Sequence, residues 1–177
     1  MRLKRGVAML SGVLLLALVV GGVFHLAWEK RQTLPVSVDV KQPFYAVYFG
    51  SPDGDGLIPE FRQGEGTIDE RVASLLEGPR LSGSVGVLPK DVRFLGYSQR
   101  DGTLFLNFSH HLITNHPGGS SSEILTVYGI VNTLSGVQGV QKVQILVENR
   151  LITTLAGHLD LREPLSKDYE LIGSSHL

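Results

Sequence analysis

The chain has 177 residues, a formal net charge of −1 and no cysteine. This length allows one domain and an additional anchoring segment, and the near-neutral charge without a basic stripe argues against nucleic-acid binding. The absence of cysteine excludes disulfides, thiolate zinc sites, haem-attachment motifs and lipid-modified cysteines. An exported domain of this kind depends on its hydrophobic core, for which about 130 residues are sufficient.

An apolar segment lies near the N-terminus. Residues 6–28 contain no Asp, Glu, Lys or Arg, and a helix needs about 20 such residues to cross a bilayer core, so this segment is predicted to be a transmembrane helix. Basic residues are slightly more frequent before the segment than after it, which favours a cytoplasmic N-terminus (residues 1–5) and an extracytoplasmic C-terminal domain. A cleaved signal peptide is the alternative, but the apolar run is long and no A-x-A site follows it.

A polar stretch with two prolines, residues 29–43, is interpreted as a linker. The domain is predicted to begin with a strand at residues 44–49, because FYAVYF is aromatic and is bounded by proline and glycine. The sequence SPDGDG at residues 51–56 is typical of a turn, and residues 57–62 are compatible with a short extended segment.

The first helix is predicted to start at Thr67, because Thr67-x-x-Glu70 is a capping box. Gly78 and Pro79 are expected to end this helix. The apolar residues between these signals recur at helical spacing and form one face: Ile68, Val72, Leu75 and Leu76.

The second half of the domain contains two predicted hairpins and a helix. Strands at residues 92–99 and 103–108 flank Asp101-Gly102, a strong hairpin signal. Ser120-x-x-Glu123 is a second capping box and opens a helix that glycines end. A strand at residues 143–147 follows, and after a turn the chain is predicted to return at residues 151–155.

This order of elements, β-α-β-β-α-β-β, predicts an α+β fold with one mostly antiparallel sheet and two helices on one face. We place the domain at residues 44–165 and a C-terminal tail at residues 166–177.

Histidines and acidic residues form several candidate sites, and each has a simpler structural interpretation. His110 and His111 are adjacent, so on a strand they would point to opposite faces, and with His116 they are interpreted as a polar loop. Asp53 and Asp55 begin like a calcium loop, but the pattern then fails at residues 57 and 58.

Other polar motifs are equally weak indicators of catalysis. The Gly118–Ser122 segment could hold an anion through free amides, although a flexible helix entry explains it more simply. Asn107 begins a weak glycosylation sequon, and His158 with Asp160 is interpreted as a structural hydrogen bond. A serine triad is not excluded by spacing, but no G-x-S-x-G elbow is present. We therefore expect a non-enzymatic protein with no catalytic, cofactor-binding or metal-binding residues.

Several phrases, taken in order, resemble the GerMN domain of bacterial sporulation and spore-germination proteins. The resemblance covers residues 44–165 and is carried by these pieces: YAVYF at 45–49, LIPEFR at 57–62, LLEGP at 75–79, LPKDVRFL at 88–95, LFLNFS at 104–109, SSSEILTVYGIVNTL at 120–134, GVQKVQILVEN at 139–149 and LAGHLDLREPL at 155–165.

The resemblance implies an α+β domain similar to the ring-building modules of secretion systems, in a membrane-tethered, non-catalytic component of the cell envelope used in sporulation or germination. The best-known relatives resemble lipoproteins with two tandem domains, whereas this chain has no cysteine and one copy. We expect a single-pass cell-membrane protein that contacts envelope proteins or itself, through the exposed side of the 121–135 helix or the edge strand of the last hairpin. A domain that binds a cell-wall glycan or an anion is the alternative.

Overall fold

The computed structural model describes residues 43–173. The predicted cytoplasmic N-terminus and transmembrane helix, most of the predicted linker, and residues 174–177 lie outside the described residues. In the described range, no helix combines the length and the apolar character that a membrane span requires.

The first sheet has two antiparallel strands, β1 (Phe44–Gly50) and β2 (Leu57–Gln63). Their register pairs Phe44 with Gln63 at one end and Gly50 with Leu57 at the other. The predicted strand at residues 44–49 is confirmed, and the short extended segment after the turn is a full partner of it.

Helix α1 (Ile68–Glu77) begins and ends at the predicted signals. The Thr67 hydroxyl accepts from the Glu70 amide at 3.3 Å, and the Glu70 carboxylate accepts from the Thr67 amide at 2.9 Å. Gly78 follows the helix with φ of +90°, a conformation that favours glycine. The capping box and the glycine stop predicted from the sequence are therefore confirmed.

The second sheet has the strand order β3-β4-β5-β6. Its strands are β3 (Phe94–Arg100), β4 (Thr103–Phe108), β5 (Lys142–Val147) and β6 (Arg150–Leu151). Strands β4 and β5 are parallel, whereas the two outer pairs are antiparallel. The predicted α+β fold with mostly antiparallel pairing is confirmed, but the strands form two sheets instead of one. Strands β4 and β5 are parallel because the chain between them crosses over through a helix, as parallel neighbours require.

Two tight turns join the antiparallel pairs of the second sheet. Asp101 and Gly102 have φ of +50° and +76°, and Glu148 and Asn149 have φ of +50° and +63°. Positive φ at both central residues is the requirement of a type I′ hairpin turn, so the predicted Asp101-Gly102 hairpin is confirmed. Strand β6 ends at Leu151, which is earlier than the predicted return to residue 155.

Two further helices lie between β4 and β5. The short helix α2 (His111–Thr114) was not predicted, and α3 (Ser120–Leu134) follows it. Helix α3 contacts β1 of the first sheet and β5 of the second, and α1 contacts β1 and α3. Helices α1 and α3 therefore both contact the first sheet, and α3 also contacts the second, whereas the sequence had suggested a single sheet.

Helix α3 is the centre of the core. The inward residues of β4, Leu104, Leu106 and Phe108, are fully buried, and so are four apolar residues of α3: Val127, Ile130, Val131 and Leu134. Only Ser120 and Ser121 of this helix are exposed, because elements pack on most of its circumference. The rest of the helix side that we expected to meet a partner is half-buried, at Ser122, Ile124, Leu125 and Tyr128.

The C-terminal segment packs on the domain as far as residue 173. Leu165 forms a bridge with Val143 of β5, and the Asn132 side chain of α3 bonds both to the Asp168 amide (2.9 Å) and to its carbonyl (2.7 Å). The Leu57 amide donates to the Leu171 carbonyl at 2.6 Å. This segment consequently connects the first sheet, α3 and the second sheet.

Candidate functional site

Two stretches that the sequence suggests as ligand contacts, 51–56 and 118–122, contribute to one surface cleft. The cleft has a volume of about 790 Å³, within the roughly 300–1,000 Å³ range of small-molecule sites. It lies between the turn after β1, the 85–91 loop and the first turn of α3. Its apolar lining includes Val85, Val87, Leu88 and Leu125, and its polar lining includes Ser51, Lys90, Asn115 and Ser122.

The turn on one side of the cleft is held by its own side chains. The Ser51 hydroxyl donates to the Asp55 carboxylate at 2.6 Å and accepts from the amides of Asp55 (3.1 Å) and Gly56 (3.2 Å). Asp55 is therefore engaged within the turn, and Asp53 at its tip is exposed. This geometry is typical of a local polar turn.

A hydrogen-bond chain beneath the cleft positions its other side. The Thr126 hydroxyl donates to the Val87 carbonyl at 2.7 Å and lies 3.2 Å from His116 Nε2. The Gly118 amide donates to His116 Nδ1 at 3.0 Å. These contacts fit a neutral imidazole protonated at Nε2, and burial lowers the pKa of His116 below its ordinary value.

The N-terminus of α3 differs from the predicted capping box. Gly119 is the N-cap, with φ of +84°, and no side chain caps the helix. The Glu123 side chain points away from Ser120 and accepts from the Thr154 hydroxyl and from the amides of Leu155 and His158, the last two at 2.8 Å. The second capping box was therefore wrong, because three distant donors compete with one local amide.

Glu123 is completely buried in spite of its charge. Burial raises the pKa of this carboxyl group, but the hydrogen bonds from Thr154 and from the 155–158 backbone outweigh burial and lower the pKa from 4.5 to about 2. The ionised carboxylate thus holds the 154–158 segment against α3. Glu123 and the segment together are called the Glu123 clamp below.

The histidines that the sequence places close together have separate contacts. The His110 backbone amide donates to the Glu148 carboxylate at 2.9 Å, and His111 Nδ1 lies 3.4 Å from the Ser109 hydroxyl. His116 belongs to the network beneath the cleft. Among residues 43–173, histidine and acidic side chains form no group of three or more that could hold a metal ion.

His158 and Asp160 do not form the hydrogen bond that the sequence suggested. The His158 amide belongs to the Glu123 clamp, whereas the Asp160 carboxylate accepts from the Arg162 amide at 3.0 Å and from the Arg162 guanidinium at 2.5–3.1 Å. The hydrogen bonds with Arg162 lower the pKa of Asp160 to about 2. This pair is exposed, so its contribution to stability is small.

The sequon asparagine, Asn107, is buried within the second sheet. Its Nδ2 donates to Asn149 Oδ1 at 2.9 Å, and its Oδ1 accepts from the Asn149 amide at 2.8 Å. A bulky glycan would break both contacts. The Asn107 side chain therefore links β4 to the turn before β6.

Sequence reasoning missed a buried cation on α1. The Arg71 guanidinium donates to the carbonyls of residues 46, 66, 133 and 136, at distances of 2.7–3.3 Å. It thereby connects β1, the entry of α1 and the end of α3. A signal was present, because Arg71 lies three residues after Ile68 and four before Leu75, on the apolar face.

A buried ion pair on β2 was also missed. The Glu60 carboxylate accepts from Arg62 at 3.0 Å and from the amides of Arg80 (3.0 Å) and Leu81 (3.1 Å). Arg62 also donates to the Gly78 carbonyl at 2.9 Å. In the sequence, charged residues at alternate positions of a strand predict a solvent-exposed face. The structure shows instead that the 78–81 segment packs over Glu60 and Arg62.

The fold and the sequence identify a family. The family described as "Germane: Sporulation and spore germination" matches residues 46–153. This range is more than half of the 177 residues, and the chain belongs to this family. A comparison with curated proteins finds no match.

Three solved structures share the fold. A crystal structure of a candidate lipoprotein from Clostridium perfringens is 26% identical, with a TM-score of 0.52, 73% of this chain covered and 90% of that one. The tandem GerMN domains of the sporulation protein GerM from Bacillus subtilis are 20% identical, with a TM-score of 0.59. The match covers 80% of this chain and 51% of that one. The first GerMN domain of that protein is 18% identical to this chain, with a TM-score of 0.53. The match covers 71% of this chain and 96% of that domain. The resemblance to the GerMN family is thus confirmed, and this chain spans about half of the tandem structure.

Proposed function

We propose that this protein is a membrane-anchored, non-catalytic component of the cell envelope that takes part in sporulation or germination by binding other envelope proteins. Membership of the sporulation and germination family supports the process. One observation supports the non-catalytic role: the buried polar side chains form hydrogen bonds that join helices, strands and loops of the domain. A general acid or base must be within reach of its substrate, whereas these groups are bonded to the backbone of their own chain.

The Glu123 clamp, Arg71 and the Glu60–Arg62 pair are the clearest cases. Each joins segments that are far apart in the chain, and each has carbonyl or amide partners within the domain. Their common effect is to fix the strands, helices and loops of the domain relative to one another. A rigid domain can present its surface to other envelope proteins in a fixed geometry, which is suited to protein–protein binding.

Anchoring is supported by the charge-free segment at residues 6–28. The Clostridium perfringens neighbour is a candidate lipoprotein, and this chain has no cysteine to carry a lipid. A transmembrane helix would provide the same attachment by a different route, with the domain outside the cell membrane.

Fractionation of the native host tests the attachment. We expect the tagged full chain in the membrane fraction, with the domain accessible to protease added outside the cell. A variant with Leu15→Arg and Leu16→Arg interrupts the apolar segment and should leave the membrane fraction. A wild-type chain found only in the cytosol would contradict the anchoring.

A deletion strain tests the process. We expect reduced sporulation or germination, restored by the wild-type gene and not by the variant with Leu15→Arg and Leu16→Arg. A deletion strain that sporulates and germinates normally would contradict the proposed role, whatever the location of the protein.

A second candidate function is binding of a cell-wall glycan or an anion. The cleft of about 790 Å³ supports it, because Ser51, Pro52 and Gly54 of the first turn and Ser121 and Ser122 of α3 line it together. A thermal-shift experiment with muropeptides, phosphate and calcium would test it. Ser121→Trp would fill the cleft and should abolish any stabilisation by the ligand, whereas Ser98→Trp, at an exposed serine of β3, should not. No shift with any of the three would contradict the function.

A further inference from the structure

Two phenylalanines are exposed on the same face of the first sheet. Side chains alternate along a strand, and the register pairs Phe44 with Gln63 and Ala46 with Phe61. Phe44 and Phe61 are therefore diagonal neighbours across the two strands. They remain 64% and 71% exposed, although neighbouring positions of β1 on the other face are buried.

The C-terminal segment covers only one end of this face. Lys167 Nζ lies 3.0 Å from the Tyr48 hydroxyl and 5.0 Å from the centre of the Tyr48 ring, which is buried. The same Nζ lies 4.9 Å from the centre of the Tyr169 ring, which is 72% exposed. Phe44 and Phe61, together with Tyr169 and its neighbour Lys167 at the Tyr48 end of the sheet, are called the aromatic face below.

The chain enters the domain at the aromatic face. Phe44 is the first residue of β1, and the fifteen residues before it (29–43) separate it from the charge-free segment at residues 6–28. Fully extended, fifteen residues reach about 50 Å at most. A domain tethered in this way keeps its entry end at an effective concentration near the membrane of the order of millimolar, so individually weak contacts with lipid can persist.

We propose that the aromatic face lies on the lipid headgroup region of the membrane that anchors the chain. This inference rests on the proposed anchoring. Aromatic side chains with a polar atom, and lysine, are suited to the boundary between headgroups and acyl chains. The phenylalanines would enter the apolar side of this boundary, while the Tyr169 hydroxyl and the Lys167 ammonium group remain at the headgroups.

Three exposed apolar residues of the second sheet do not offer the same position. Leu95, Tyr97 and Leu151 are 43%, 47% and 63% exposed, but they lie on the outermost strands β3 and β6 of the second sheet. They do not adjoin the chain entry, and they supply matched control positions.

A single fluorophore would test the contact in the full chain. The chain has no cysteine, so Gln63→Cys provides one attachment point directly opposite Phe44 and leaves all three aromatic rings in place. Leu151→Cys is the exposed control on β6. Each labelled chain would be inserted into vesicles of phosphatidylethanolamine and phosphatidylglycerol that contain lipids with a nitroxide at the headgroup, and flotation would verify insertion.

We expect quenching several-fold stronger at position 63 than at position 151. Phe44→Ser combined with Phe61→Ser should remove this difference while the chain still floats with the vesicles. Both positions are exposed, so the double variant should retain its fold, and circular dichroism checks this. Should the double variant unfold, Phe61→Ser alone is the replacement.

The other outcomes separate the inference from the anchoring. Chains that float with the vesicles but show equal quenching at both positions would overturn the lipid contact and leave the anchoring intact. Chains that do not float would overturn both. A fluorophore at position 63 that is shielded equally with and without lipid would show that protein covers the face, and would overturn the inference.

Discussion

Replacing Glu123 by glutamine should destabilise the domain at neutral pH and remove much of its sensitivity to acid. The wild-type carboxylate has a pKa near 2 in the folded protein, against an ordinary value of 4.5. One pKa unit corresponds to about 1.4 kcal/mol, so ionisation of Glu123 contributes about 3 kcal/mol to the free energy of unfolding at neutral pH. Glutamine keeps one acceptor oxygen, and we expect Glu123→Gln to lose about 2 to 3 kcal/mol.

The direction of the pH dependence follows from the lowered pKa. The unfolded chain binds a proton at a higher pH than the folded one, so stability is present above the unfolded value and is lost as the pH falls from about 5 to about 2. Glutamine does not titrate in this range. The wild-type and variant curves of unfolding free energy should therefore differ most at neutral pH and converge at low pH.

Urea unfolding of the full chain in mild detergent, followed by far-UV circular dichroism between pH 7 and pH 2, would measure both curves. Asp160→Asn is a matched control, because Asp160 also has a lowered pKa but belongs to an exposed pair, and it should have little effect. Parallel curves for wild type and Glu123→Gln would refute the reasoning about the clamp.

Three further perturbations test other contacts between elements. Arg71→Met leaves four carbonyls without their buried donor, and thermal unfolding should show a loss of about 3 kcal/mol or more. A methyl group in Gly129→Ala would lie 2.8 Å from a Val87 methyl carbon; we expect a loss of about 1–3 kcal/mol, partly recovered by Val87→Ala. Burial lowers the pKa of His116, so the neutral ring stabilises the loop above its unfolded pKa, about 6.5. Hydrogen exchange at the Gly118 amide should therefore accelerate as the pH falls below this value, after correction for the intrinsic rate, and a flat corrected profile would contradict the role of the ring.

Local signals correctly predicted the boundaries of α1 and the position of the first hairpin turn. The Thr67 capping box and the Gly78 stop define α1, and Asp101-Gly102 defines the first hairpin. These features depend on contacts within a few residues, since a cap or a tight turn is formed by the segment that encodes it. The family resemblance, carried by short pieces along the chain, was confirmed over residues 46–153, and the last piece, at 155–165, lies outside this match.

Placement of the elements depended on contacts between distant segments. Alternation within β4 and β5 showed which residues face inward, but the parallel direction of the pair follows from the crossover through α3. The pattern of a single helix or strand does not predict that the strands form two sheets. It also does not predict that α3 is buried between strands of both sheets.

Glu123 shows the physical reason most clearly. Three residues after Ser120, a glutamate satisfies the local pattern of a capping box, and the chain by itself predicts that contact. Folding brings the Thr154 hydroxyl and two amides to the same carboxylate, and a buried charge binds where it finds the most donors. The local pattern thus located the helix start near residue 120, whereas the partners of its glutamate were set by a segment some thirty residues away.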